Sequence, residues 1–297
     1  MKPTVLLTGG TGLIGRYLIA KLSPDYDITV VSRDPARASR LLGDAVKPLT
    51  LDSIEHLNDI NIVINLAGEP IAERRWSNAQ KKRICDSRWD TTDTLVRLIN
   101  QAHNKPRVFI SGSAVGVYGR QSDTPIDESF TDFYDEFSSE VCATWEKKAQ
   151  EAIDVRTCIL RTGIVLAEDG GALAKMLMPF RLGLGGKISS GKQFMPWIHI
   201  EDMVAGILHL IKNDNCQGPF NFTSPNPNTN HFFSLALARR LERPLFFTIP
   251  ALVLKAAMGE SSDLVLYGQK ALPKKLEQTG FKFSYPELKD ALKALDI

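Results

Sequence analysis

Near the start of the chain a short apolar run, Val5 to Leu7, breaks into Thr8-Gly9-Gly10-Thr11-Gly12-Leu13-Ile14-Gly15 and then into an amphipathic segment that ends near Leu22. A strand, a glycine turn and a helix in that order leave few folds open. The glycines at 10, 12 and 15 fit the dinucleotide fingerprint: Gly10 for the tight turn, Gly12 for close approach of the backbone to a pyrophosphate, Gly15 for helix–strand packing. The helix that follows offers free N–H groups and the positive end of its dipole to phosphate. A glycine turn that serves only a strand–helix unit is the alternative. The correct periods on both flanks favour a dinucleotide site made of Gly9, Gly10, Thr11, Gly12, Leu13, Ile14 and Gly15.

The rest of the chain repeats that grammar. Apolar, β-branched runs recur at 4–8, 28–31, 60–65, 107–111 and 155–161, separated by helical patterns near 13–22, 35–42, 78–103 and 136–153. Such alternation implies an α/β protein, a Rossmann-type doubly wound parallel sheet whose strands are apolar on both faces because helices cover both. After residue 166 the rhythm changes to glycine pairs at 170–171 and 185–186 around a helix at 172–182, with a short strand around 194–197. A helix at 201–212 and a strand at 219–222 return to the sheet, and a helix at 287–295 ends the chain. The expected division is a cofactor domain of residues 1–166 plus about 195–225, with about 167–194 and 226–297 forming a small C-terminal substrate-side lobe that includes a module at about 248–295.

Composition removes several classes of function. The 297 residues carry 36 basic and 34 acidic side chains spread through the sequence, so neither nucleic acid nor a membrane is an expected partner. Lys81-Lys82-Arg83 reads as a solvated helix face. Cys85, Cys142, Cys158 and Cys216 lie far apart and make no metal-ligand spacing with the five histidines, so no metal is expected. No apolar run approaches the roughly 20 residues of a membrane span. With no signal segment ahead of the first strand, a reduced, cytoplasmic setting is expected.

Cofactor choice turns on the end of the second strand. Arg33 stands where NAD-binding folds place an acid on the ribose 2′-hydroxyl, and a guanidinium suits a 2′-phosphate, with Ser32 and Arg37 in support. NADP(H) is therefore the expected cofactor; the alternative leaves Arg33 in solvent and gives the ribose to Asp34. Asp52, after the third strand, is placed for the adenine edge. Leu66-Ala67-Gly68, ending the fourth strand, is small enough for close approach to a cofactor, and Ser113 lies at the carboxyl end of the fifth, where ligands bind in such sheets. Arg74, Arg75, Trp76, Arg88 and Trp89, together with Glu69, follow a crevice-facing strand, and cations with indoles there can hold a carboxylate, a phosphate or a flat ring. The alternative is a solvated loop beside packed tryptophans. Lys192 and Gln193 fall in the 167–194 excursion.

Taken with Leu160-Arg161-Thr162-Gly163, Val117-Tyr118-Gly119 and Trp197-Ile198-His199-Ile200-Glu201-Asp202, these motifs resemble, in order over about residues 4–225, the extended short-chain dehydrogenase/reductases of the epimerase/dehydratase group. Arg74-Arg75-Trp76, Ser87-Arg88-Trp89, Leu182 to Gly186 and Met258-Gly259-Glu260-Ser261-Ser262 extend the likeness to an atypical epimerase-like branch with a C-terminal module of unknown function. The resemblance implies a cofactor contact for Arg161, a small-molecule substrate, and a homodimer through helices 78–103 and 136–153.

That family's chemistry rests on a Tyr-x-x-x-Lys pair, in which the lysine lowers the tyrosine's pKa for proton exchange with the substrate. Here the corresponding positions hold Ser138 and Cys142, and only the serine matched by Ser113 remains of the catalytic set. Tyr134, one helical turn before Ser138, Tyr118 and Glu140 are the replacement proton donors to weigh, each with a structural reading beside it; His199 reads as a packed histidine ahead of a helix. Two expectations stand together: an NADP(H)-dependent, epimerase-like oxidoreductase with Ser113, and Tyr134 as proton donor, or an NADP(H)-binding redox sensor or assembly factor without turnover.

Overall fold

The computed structural model of the protein describes residues 2–297. Seven parallel strands form its centre: β1 (Thr4–Thr8), β2 (Asp27–Val31), β3 (Lys47–Leu49), β4 (Ile62–Asn65), β5 (Val108–Ala114), β6 (Arg156–Thr162) and β7 (Gly218–Phe222). Their order across the sheet is 3-2-1-4-5-6-7, so the chain reverses direction of travel between β1 and β4. The crevice at that reversal, beyond the carboxyl ends of the strands, is where doubly wound folds bind ligands.

Burial explains the strand sequences. Val5 and Leu7 face one side of the sheet and Leu6 the other, and all three are buried. On the first side, helices α1 (Leu13–Leu22) and, much later, Ile200–Lys212 pack Leu18, Leu22, Met203, Ile207 and Leu210 over the strands. On the second, the 24-residue helix Asn78–Gln101 contributes Leu95, Val96 and Ile99 over Leu6, Val63 and Phe109. Helix starts are written into the chain: Asp34 accepts from the Arg37 amide (2.9 Å) ahead of α2 (Pro35–Leu42), and Ser77 accepts from the Gln80 amide (3.2 Å) ahead of α3 (Asn78–Gln101). Helix α4 (Phe137–Ala149) is shorter than the 136–153 pattern, because the chain turns at 151–154 and Asp154 takes φ 57°.

Beyond β6, a second core gathers Leu173, Leu177 and Phe180 of α5 (Gly171–Arg181), Trp197, Phe233 and Leu237, and Leu288, Leu292 and Leu295 at the end of the chain. The strand expected around 194–197 is divided by Pro196. Phe194–Met195 pairs antiparallel with Asn228–Thr229, while Trp197–His199 pairs in parallel with Ile164–Leu166. Helix α6 (Ile200–Lys212) then rejoins the main core. Asp202, at its start, accepts from the Ser284 (2.8 Å) and Tyr285 (2.9 Å) amides, fastening the last part of the chain to the first core. Among the described residues, no helix is long and apolar enough to cross a membrane, and no three His, Cys, Asp or Glu side chains converge as a metal site requires.

Candidate cofactor cleft and active site

The glycine turn is held by what its residues lack. Gly9 has φ 72°, and a Cβ there would lie 2.6 Å from the Leu66 carbonyl, so the turn sits directly against the chain leaving β4. A Cβ on Gly15 would strike the Gly9 carbonyl oxygen, so α1 can start this close to β1 only with glycine. The tight-turn role expected of Gly10 thus belongs to Gly9, the residue with the positive φ. At Gly12 the nearest neighbour of a Cβ is the Gly9 oxygen at 3.2 Å, which leaves that residue's outer side open toward the cleft it lines. Thr8 secures the arrangement: its hydroxyl donates to Asn65 Oδ1 (2.6 Å) and accepts from the Ala67 amide (3.1 Å), and Asn65 Nδ2 donates to Thr92 (2.9 Å).

Over this turn opens a cleft of about 390 Å³, walled by Gly12 to Gly15, Leu66, Ala114, Thr162 to Val165, and Gly171 with Ala172. The far wall is pinned to α1, since Asp169 forms an ion pair with Arg16 (3.0 Å) and accepts from the Tyr17 hydroxyl (3.0 Å). The Gly170–Gly171 pair was visible in the sequence as a break in rhythm. Its place over Leu13 was not.

At the end of β2, Asp34 is committed to capping α2, Ser32 Oγ exchanges hydrogen bonds with the Asp34 backbone (3.1 Å each), and Arg33 and Arg37 are exposed. Neither arginine forms an ion pair among the described residues. Asp52 is exposed on the turn Leu51–Ser53 that follows β3.

Alternation along β5 separates Ser113 from Ala114. Ala114 lines the cleft, whereas the buried Ser113 hydroxyl donates to Glu146 Oε1 (2.7 Å) on α4. Glu146 also takes both prongs of Arg161, from Nε (2.9 Å) and Nη2 (2.8 Å). Arg161 Nη1 donates to the Tyr118 hydroxyl (3.0 Å), which itself donates to Asn221 (2.7 Å) on β7. Burial opposes the charge on Arg161, but its hydrogen bonds to Glu146 prevail and hold it above its ordinary pKa. The expected direct cofactor contact therefore gives way to a structural one: all three guanidinium nitrogens of Arg161 are engaged inside the protein. Ser113, similarly, belongs to a buried network rather than presenting a free hydroxyl.

The two positions that correspond to the Tyr-x-x-x-Lys pair carry no free acid–base group. Ser138 donates to Glu136 (2.7 Å), and Cys142 is buried, which pushes its thiol up to about 11. Burial pushes Tyr118 up to about 12, so it serves as an anchor. Tyr134 is 45% exposed and stacks on Arg120, whose Cζ lies 4.7 Å from its ring and 4.1 Å from that of Tyr267. Glu140 is exposed in the first turn of α4. His199 caps α6, accepting from the Glu201 amide (3.2 Å), packs 4.0 Å from the Tyr285 ring, and has its pKa lowered by burial.

Of the substrate-side candidates, Arg88 packs against Gly68, two residues beyond the cleft-lining Leu66. Its Nη1 donates to the carbonyls of Glu69 (3.0 Å) and Ile84 (3.1 Å), its Cζ lies 5.3 Å from the Trp145 ring, and it rests against Gly68, where a Cβ would be 2.9 Å away. Burial lowers its pKa, and among the described residues no carboxylate pairs with it. Glu69 is half-buried beside it. Arg75 is exposed against Gly259. Trp76 and Trp89 are packing residues: Trp76 Nε1 donates to the Ile71 carbonyl (2.8 Å) and Trp89 Nε1 to that of Val141 (3.2 Å). Lys192 is exposed, and no contact connects it to the cleft.

Residues 5–223 match the model of the NAD dependent epimerase/dehydratase family. The chain belongs to that family. Residues 249–295 match a second model, a domain of unknown function, DUF1731. Family members similar over nearly the whole chain include an epimerase family protein of Staphylococcus epidermidis, 37% identical over 97% of both chains, and the chloroplastic SDR39U1 homolog of Arabidopsis thaliana, 39% identical over 98% of this chain and 86% of that one. Within the family, the crystal structure of human SDR39U1 with NADPH superposes with a TM-score of 0.91 at 35% identity, covering 98% of each chain. UDP-glucuronic acid 4-epimerase from Bacillus cereus, 17% identical with a TM-score of 0.78, shares the fold.

Proposed function

We propose that the protein is an NADP(H)-dependent oxidoreductase of the epimerase/dehydratase type acting on a small anionic molecule. One observation carries the cofactor: Arg33 projects uncommitted from the end of β2 while Asp34, its rival for the ribose, is spent on capping α2. The NADPH of the human relative supports the same choice. In this reading Gly12, Leu13 and Ile14 with the start of α1 hold the pyrophosphate, Arg33 and Ser32 the 2′-phosphate, Asp52 the adenine edge, and Leu66 to Gly68 the near wall. The nicotinamide supplies or accepts the hydride. Residues 1–166 with about 195–225 make the cofactor half in this assignment. The remainder forms the substrate side.

Arg88 is the anchor for the anion. A partly buried guanidinium with carbonyl partners and no carboxylate has desolvation left to recover, and a ligand's carboxylate or phosphate recovers it. A second reading rests on Ser138 and Cys142: without the tyrosine and lysine of the family's pair, the chain would bind NADP(H) as a redox sensor without turnover. Titration with NADPH and NADH, then nicotinamide absorbance across a panel of keto acids and phosphorylated carbonyls, tests both. Tight NADPH binding with turnover that Arg88→Gln suppresses is the expected result. Binding without turnover selects the sensor, and no preference for NADPH removes both.

A further inference from the structure

Residues 245–254, Leu-Phe-Phe-Thr-Ile-Pro-Ala-Leu-Val-Leu, contain one polar side chain, Thr248. Such a run belongs in a core, yet this one lies on the surface. Phe246 is 84% and Leu252 78% exposed, and helix α7 (Ala251–Met258), which begins inside the run, has no buried residue. Phe247–Ile249 pairs in parallel with Gly186–Ile188, and Arg243 Nε donates to the Arg181 carbonyl (2.8 Å). The run therefore adjoins the end of α5, where Met178, Leu182 and Leu184 are exposed as well. Single exposed apolar residues need no explanation; a contiguous set on adjoining elements does.

The same two segments carry charge of one sign. Between Gly170 and Ile200 stand four Lys or Arg, and from Arg243 to Gly259, Arg243 included, two, without an Asp or Glu in either. Lys175 pairs with Glu73 (3.5 Å), but among the described residues Arg181, Lys187, Arg243 and Lys255 form no ion pair. Glu242, beside Arg243, is the acidic residue at the border. A second copy of this chain fits poorly, because a two-fold contact would bring these cations against themselves. Exposed phenylalanine and leucine on segments whose only charged side chains are Lys and Arg match an anionic bilayer in both apolarity and charge.

We propose that this face docks the protein on an anionic lipid bilayer. Phe246 and Leu252 enter the boundary between headgroups and acyl chains, and Arg181, Lys187, Arg243 and Lys255 on the same two segments meet the phosphates. The attachment is peripheral and independent of what the dinucleotide cleft binds.

Co-sedimentation of the full chain with vesicles of phosphatidylcholine alone, or of phosphatidylcholine and phosphatidylglycerol in equal parts, tests it. The protein should pellet with the mixed vesicles and stay in solution with the neutral ones, and added salt should release it. Phe246→Ser combined with Leu252→Ser should abolish pelleting without altering the circular dichroism melt, and Arg243→Gln should weaken partitioning about fivefold. The proposal falls if the chain ignores both vesicle types or if the double variant still pellets. It falls equally if that variant turns a dimer into a monomer while neither form binds lipid.

Discussion

Arg33 is exposed and structurally idle, so its replacement should leave the fold alone and change the ligand. Arg33→Asp is expected to weaken NADPH by about tenfold or more and to leave NADH unaffected or improved, as read by fluorescence titration. Glu146 is the opposite case. Glu146→Ala leaves Arg161 buried without its counter-charge and should cost on the order of 3–5 kcal/mol, measured as a fall in the denaturation midpoint. These two residues also show what a sequence can disclose. A cation at the end of β2 is legible because its position follows from the glycine turn by counting. The Ser113–Glu146–Arg161–Tyr118 network is not, because strands buried on both faces carry no polar alternation to say which side a serine takes. Ala114, one residue on, lines the cleft instead.

Helices α1 and α2 occupy the spans that apolar period and capping chemistry indicate, Leu13–Leu22 and Pro35–Leu42. The segments after β6 were harder to read, since their pairing partners lie far away in the chain: Phe194–Met195 needs residues 228–229, and Gly186–Ile188 needs 247–249. Among these, the stretch before α5 has the clearest dynamic consequence. Its hold on α1 runs through Asp169, on two half-exposed partners. Asp169→Ala should change thermal stability little, as surface ion pairs are weak, yet speed NADPH dissociation severalfold in stopped-flow displacement. At the start of α6, burial holds the His199 pKa below its ordinary 6.5. The unfolded chain then binds the extra proton first, so this residue's contribution is present above pH 6.5 and is lost as pH falls below it. Thermal melts should show that decline, and His199→Asn should flatten it.

For the molecule as a whole, the balance of 36 basic against 34 acidic residues describes no local surface. The even total conceals an acid-free stretch whose two parts meet through the 186–188 and 247–249 pairing and through Arg243 on the Arg181 carbonyl. The second core has another consequence, one of timing during synthesis. All seven strands have been synthesised by Phe222, with β1 inside the sheet and later strands added outward on either side. Trp197, by contrast, is buried in the core that receives Leu288, Leu292 and Leu295, and the Asp296 amide donates to Glu168 (2.8 Å), next to the residue that fastens the cleft wall. A nascent chain can thus assemble its sheet early, but it cannot seal the wall of its own cleft until residues 288–296 emerge. A chain ending at residue 287 should keep the circular dichroism of the sheet while Trp197 fluorescence shifts to the red.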